Sequence, residues 1–180
     1  GHDYGTPIGI RLMCEHFPER FDAFIDANAS LPDGTFVHPI HRNWRQFVRE
    51  NPDVPLGHVI AASVVDPPLS QEETRAYYAP YPDSRYKAAI RSFPEMVPDS
   101  PDEAEAVANR AAWAFMERFS RPFMTIFGPA DMVRLPSGRM TFLERIPGAY
   151  GQPHAQLDVK HSAPEDDPEG VAGEVIAFLD

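Results

Sequence analysis

Gly1-His2-Asp3-Tyr4-Gly5 opens the chain, and Thr6 to Phe17 follows directly with Ile8, Ile10, Leu12, Met13 and Phe17 at helical spacings. The pattern is small–x–acid–x–small before a helix. A turn of this kind exposes the side chain at its tip under backbone strain. The residues two removed on either side must then lack bulk, and glycine fills that role. An Asp at the tip can attack carbon and form an ester. The same pentapeptide also reads as an ordinary Gly-rich turn.

Outward from this stretch, Pro18 ends the helix, and Phe21 to Asn28 reads as a short strand with a polar end. From Leu31 to Met96 the texture changes. Proline accounts for 20 of 180 residues, about 11% against a usual ~5%, so the helices here are short and punctuated. They are read over Pro39–Arg49, Leu56–Val65, Ser70–Tyr78 and Asp83–Phe93. Ser70-Gln71-Glu72-Glu73 is a capping box, and Ser100-Pro101-Asp102-Glu103 is a second, opening the longest helix to about Phe119. Pro122 to Gly128 is then a buried strand, Gly138 to Ile146 a helix and Ala155 to Lys160 a weakly alternating strand. Asp167-Pro168-Glu169 opens a last helix with Val171, Val175, Ile176 and Leu179 on one face. The outer parts are α/β with a parallel sheet, and the middle is a helical insertion.

Charge excludes several partners. Lys and Arg total 16 against 27 Asp and Glu, a net charge of −11. Nucleic acid needs a clustered basic face, and an anionic membrane needs a basic patch. No apolar run approaches the ~20 residues of a membrane span. The single cysteine, Cys14, excludes an internal disulfide and a Cys-based zinc finger. It fits a reducing, cytoplasmic setting, and inside the first helix it reads as a small buried hydrophobe.

Asp131 follows the strand Phe123–Phe127, and His161 follows the strand before the last helix. Open α/β sheets place their sites at such strand ends. Taken singly, Asp131 reads as a turn residue and His161 as a surface residue. With Asp3 they give the chain order nucleophile, acid, histidine, which is the order of α/β-hydrolases.

Several stretches carry a closer resemblance. Tyr77-Tyr78-Ala79-Pro80-Tyr81-Pro82-Asp83-Ser84-Arg85-Tyr86-Lys87-Ala88, continuing into Arg91-Ser92-Phe93-Pro94-Glu95-Met96-Val97-Pro98, resembles the cap signature of the haloalkane dehalogenases. Asp3-Tyr4-Gly5-Thr6 is similar to that family's elbow. Phe123 through Asp131 resembles its strand and acid turn, and Gly151 to His154 with His161 through Asp166 its histidine region. The resemblance implies a partial α/β-hydrolase fold, the C-terminal part of a parallel sheet with a helical cap. The core is 1–30 and 120–180, without its N-terminal half, and the cap is 31–119. It implies cofactor-free, metal-free hydrolysis of a small halogenated organic substrate by water. Asp3 is the nucleophile, Asp131 the acid and His161 the base. Tyr4, where the family has Trp, and Trp44 in the cap are the implied halide donors. An incomplete sheet predicts self-association, and catalysis is expected only in a full-length context.

Other readings stay open. An epoxide hydrolase or another Asp-nucleophile α/β-hydrolase would use a cap tyrosine as acid, from Tyr77, Tyr78, Tyr81 and Tyr86. A truncated, non-catalytic fragment is the third reading. His38-x-x-His41 lacks a third metal ligand nearby. His154 reads as a turn residue and Trp113 as core. Glu165-Asp166-Asp167 reads as a solvated face that starts the last helix.

Overall fold

The run Phe123–Phe127 is apolar but for Thr125, and it becomes the central strand, buried at every position. A computed structural model describes residues 1–36, 38–65, 68–133 and 136–180. Among them, β1 (Phe24–Ala27), β2 (Phe123–Phe127) and β3 (Ala155–Gln156) form a parallel sheet in the order β1-β2-β3. Phe24 pairs with Phe123, Ala27 with Ile126, and Ile126 with Ala155.

Two strands are shorter than their sequence runs. Asn28 turns into the left-handed region at φ +47° and ends β1. Leu157 N–H still donates to Phe127 O, but Val159 N–H folds back on Leu157 O at 2.9 Å, which ends the ladder at β3.

Helices cover both sheet faces. The described helices are α1 (Gly5–His16), α2 (Pro39–Glu50), α3 (Leu56–Ala62), α4 (Gln71–Ala76), α5 (Ala88–Ser92), α6 (Ala104–Met116), α7 (Pro136–Arg145), α8 (Ala163–Asp166) and α9 (Pro168–Leu179), of which α1, α6 and α7 pack on one sheet face and α9 on the other. Phe24 and Phe123 stack with centroids 5.5 Å apart, and Ile10, Met13, Trp113, Met116 and Phe142 close over them. Met124 and Ile126 face the other way, onto Val171, Val175 and Phe178 of α9. The result is a helix–sheet–helix sandwich with one apolar cluster on each face. Cys14 packs half-buried against the first cluster.

The segment 31–119 divides. Its last helix, α6, packs on α1, and Ala112, Trp113 and Met116 join the sheet's cluster, so α6 lies in the core layer. Trp113 Nε1–H donates to Leu31 O at 2.9 Å and Asn109 Nδ2–H to Pro32 O at 2.6 Å. The helices α2 to α5 are held instead by buried cations with satisfied donors. Arg45 reaches Pro94 O, Val97 O and Asp99, and Lys87 reaches Asp53 and Val54 O.

The capping box at Ser70 and Glu73 forms as expected. The one at Ser100 does not. Ser100 Oγ accepts from Asp102 N–H in a local turn, Glu103 accepts from Asp99 N–H, and α6 starts at Ala104. No described helix is long and apolar enough to cross a membrane.

Candidate active site

The residues before Asp3 run alongside β1. Ala27 N–H donates to Gly1 O at 2.8 Å, Asp3 N–H donates to Ala27 O at 3.3 Å, and His2 bridges Ala27 in parallel sense. The chain then turns sharply, with Gly5 N–H on His2 O at 2.8 Å and Thr6 N–H on Asp3 O at 3.1 Å. Asp3 takes φ +45°, a left-handed conformation uncommon outside glycine and concentrated at functional sites. A Cβ on Gly1 would lie 2.6 Å from Thr6 N, so a glycine is required there. A Cβ on Gly5 would meet nothing within 4 Å, so the requirement read from sequence holds on one side of the turn only. Thr6 Oγ1–H donates to Asp26 Oδ1 at 2.7 Å in the interior and ties the start of α1 to β1.

Asp131 ends the turn after β2, with its N–H on Gly128 O at 3.1 Å. Its buried carboxylate accepts from Val133 N–H at 2.7 Å through Oδ1. Oδ2 accepts from His161 Nδ1–H at 3.0 Å. The other ring nitrogen, Nε2, lies 3.6 Å from Asp3 Oδ1, an ionic contact rather than a hydrogen bond. The imidazole thus sits between two carboxylates. Burial disfavours its proton, but the bond to Asp131 and the charge of Asp3 outweigh burial and raise its pKa to about 9.

The backbone that carries His161 is gripped from several sides. His2 Nε2–H donates to His161 O at 2.6 Å. Burial chiefly pushes the His2 pKa below its ordinary value, which suits a neutral ring donating through Nε2. Asn28 Nδ2–H donates to Lys160 O at 2.7 Å and to His161 O at 3.2 Å, while its Oδ1 accepts from Gly128 N–H at 2.8 Å. One fully buried amide therefore ties the acid turn to the histidine loop. Sequence reasoning missed both His2 and Asn28. The polar residue closing an apolar strand at Asn28 was the available signal.

Tyr4 starts α1, half-buried, with its ring 5.5 Å from that of Phe93. Trp44 lies on α2 and stacks on Phe47 at 5.8 Å. The two expected halide donors therefore sit on different elements with different ring neighbours. A groove along α1 has Tyr4, Ile8, Leu12, Met96 and Val97 in its wall, but neither Asp3 nor His161. Tyr77 donates to Glu165, and burial together with that carboxylate raises its pKa to about 12. The Tyr78 hydroxyl bonds His58 Nδ1 at 2.7 Å. His154 bridges the turn to the sheet, accepting from Thr125 N–H at 3.1 Å and donating to Ala149 O at 2.7 Å. His38 caps α2 by accepting from Ile40 N–H.

A haloalkane dehalogenase of Mycobacterium marinum is 37% identical over 179 residues, covering 98% of this chain and 59% of the relative. The chain is similar over nearly its whole length to the haloalkane dehalogenases. A haloalkane dehalogenase of Psychrobacter cryohalolentis is also 37% identical, over 98% of this chain and 58% of its own length. The chain thus spans about three-fifths of the curated relatives it matches. No family model matches it. Among solved structures, the tetrameric haloalkane dehalogenase of Paraglaciecola agarilytica NO2 superposes with a TM-score of 0.84 at 20% identity, over 99% of this chain and 57% of that one. The haloalkane dehalogenase of Agrobacterium tumefaciens C58 gives 0.79 at 19% identity, over 99% and 64%. These likenesses give the fold: a partial α/β-hydrolase fold built on the parallel sheet described above.

Proposed function

We propose that the protein hydrolyses small haloalkanes to an alcohol and a halide through an ester on Asp3. The observation that carries this reading is His161 between two strand-end carboxylates, 3.0 Å from Asp131 and 3.6 Å from Asp3. Ionised Asp3, presented by the strained turn, attacks the carbon that bears the halogen. A C–O bond forms as the carbon–halogen bond breaks, and its electron pair leaves with the halide. Tyr4, next to Asp3, and Trp44 are assigned to the halide, since a phenol O–H and an indole N–H both donate. His161 Nε2 then takes a proton from a water whose oxygen adds to the ester carbonyl. Collapse expels the alkoxide, which recovers the proton from His161 and leaves Asp3 as a carboxylic acid, and that acid loses its proton to solvent to restore the carboxylate. Asp131 holds the Nδ1–H and stabilises the imidazolium. The scheme needs no cofactor and no metal.

The same proposal assigns 1–30 and 120–180, together with α6, to the catalytic core and α2 to α5 to a cap. The packing of α6 on α1 supports ending the cap before α6. The net charge of −11 supports a small-molecule partner rather than nucleic acid or membrane. The tetrameric relative supports self-association, and the lone Cys14 supports a cytoplasmic setting. Epoxide opening would need a free cap phenol as acid for the alkoxide, which leaves Tyr81 and Tyr86 of the four cap tyrosines. The Tyr77 and Tyr78 hydroxyls are engaged with Glu165 and His58.

The test is His161→Ala with a short bromoalkane, made in a chain that spans the length of the relatives. The first displacement needs no base, whereas ester hydrolysis does, so about one halide per site is released before turnover stalls. Mass spectrometry then finds an alkyl adduct on the peptide containing Asp3. Sustained turnover without an adduct refutes the mechanism.

A further inference from the structure

The residues after His161 bond outward, to the helical segment. Ser162 Oγ meets Ser63 Oγ at 2.6 Å, and Ser162 N–H donates to Ser63 O at 3.2 Å. Glu165 accepts from the Tyr77 hydroxyl. Asp166 goes further: Oδ1 accepts from Val65 N–H at 2.6 Å, and Oδ2 accepts from Lys160 N–H at 2.7 Å. A single carboxylate thereby joins the chain just after α3 to the residue immediately before His161. The solvated face expected at this acidic run is therefore found only in part. Asp166 is half-buried and committed at both oxygens, and Asp167 caps α9 by accepting from Gly170 N–H at 2.8 Å.

The chemistry of the contact is specific. An ionised carboxylate only accepts and offers two oxygens, so it can serve two N–H groups at once. An asparagine cannot, because its NH₂ would face one of the two N–H donors. The geometry around His161 is also complementary. His2 and Asn28 hold the carbonyls of Lys160 and His161, while Asp166 holds the Lys160 amide.

We propose that Asp166 is a positioning residue that couples the seating of the segment ending at Val65 to the alignment of His161 between Asp131 and Asp3. The inference rests on the role proposed for His161. Breaking the clamp frees Lys160 N–H and lets the loop shift, which lengthens the His161–Asp131 bond. Attack by Asp3 needs no base, so the defect falls on ester hydrolysis.

Asp166→Asn tests this with two readouts. The first is the titration of the His161 ring by NMR, where Asp3, Asp131 and His2 are the ionisable neighbours. The parent titrates near the value of about 9 given by the structure, and the variant is expected at least about tenfold less basic. The second is halide release from a short bromoalkane. The variant gives a burst of about one halide per site and then a steady rate below the parent's by about tenfold or more, with alkylated Asp3 accumulating. A folded Asp166→Asn protein with the parent's His161 titration overturns the proposal. If Asp166→Asn does not fold, Ser63→Ala combined with Tyr77→Phe loosens the helical side without touching Asp166. A smaller fall in His161 basicity is then expected, and an unchanged titration overturns the coupling. Halide release is read in a chain that spans the length of the relatives; its absence there overturns the dehalogenase reading, while the titration still decides the role of Asp166.

Discussion

Neutralising Asp3 without moving its backbone is expected to bring His161 down towards neutral pH. Asp3→Asn is the suitable change, because asparagine visits the left-handed region at little cost and Asp3 sits at φ +45°. It also imitates the proposed alkyl ester, in which the same carboxylate would lose its charge. The size of the effect follows from the 3.6 Å separation. Two unit charges at that distance interact by about 1.2 kcal/mol in water and about 4.6 kcal/mol at an effective dielectric near 20. The two side chains are 14% and 22% exposed, so an intermediate figure applies. About 1.4–2.7 kcal/mol corresponds to roughly one to two pKa units. The group starts at about 9, where burial opposes the proton and the Asp131 and Asp3 carboxylates together prevail. With only Asp131 left, His161 is expected to titrate at about 7–8. The ring would then be protonated while Asp3 attacks and freed as a base once the ester forms. NMR titration of the ring in parent and variant measures the difference. A shift below about half a unit refutes the reasoning.

The raised His161 pKa also sets a pH dependence of stability. Its contribution is fully present below the ordinary value near 6.5 and is lost as pH rises through about 9. Urea midpoints should fall across that window, and a rise there contradicts the assignment. Asn28→Ala leaves Gly128 N–H, Lys160 O and His161 O short of partners and is expected to cost about 2–5 kcal/mol. A loss under about 1 kcal/mol in equilibrium unfolding would show that the amide holds little. Tyr4→Trp is expected to tighten bromide binding in a fluorescence titration, and unchanged or weaker binding removes Tyr4 from the halide site.

The elbow was readable because its strain restricts composition locally, and Gly1 meets that restriction directly. The central strand was readable because burial on both faces leaves an almost unbroken apolar run. Strand ends were not, since they are set by the backbone turn at Asn28 and the reversal at Val159. Pattern could show that α6 buries a stripe. It could not show that the stripe meets α1 and the sheet rather than the other helices of the insertion. Asp3, Asp131 and His161 were singled out by chain order, and the structure brings their side chains together. Asn28 was not, because its partners lie 100 and 132 residues away and leave no local trace.

The two roots of the helical insertion are stitched together by side chains of α6. Trp113 fastens Leu31, and Asn109 fastens Pro32. With the neck closed in this way, the chain between the stitches is a loop whose ends are already joined. Lengthening such a loop costs little, about 0.6 kcal/mol for each doubling. The architecture is therefore modular: the sheet and its strand-end turns can stay constant while the material above the neck is exchanged, lengthened or reshaped. Over evolutionary time, the helices above the neck can change while the groups at the strand ends keep their places.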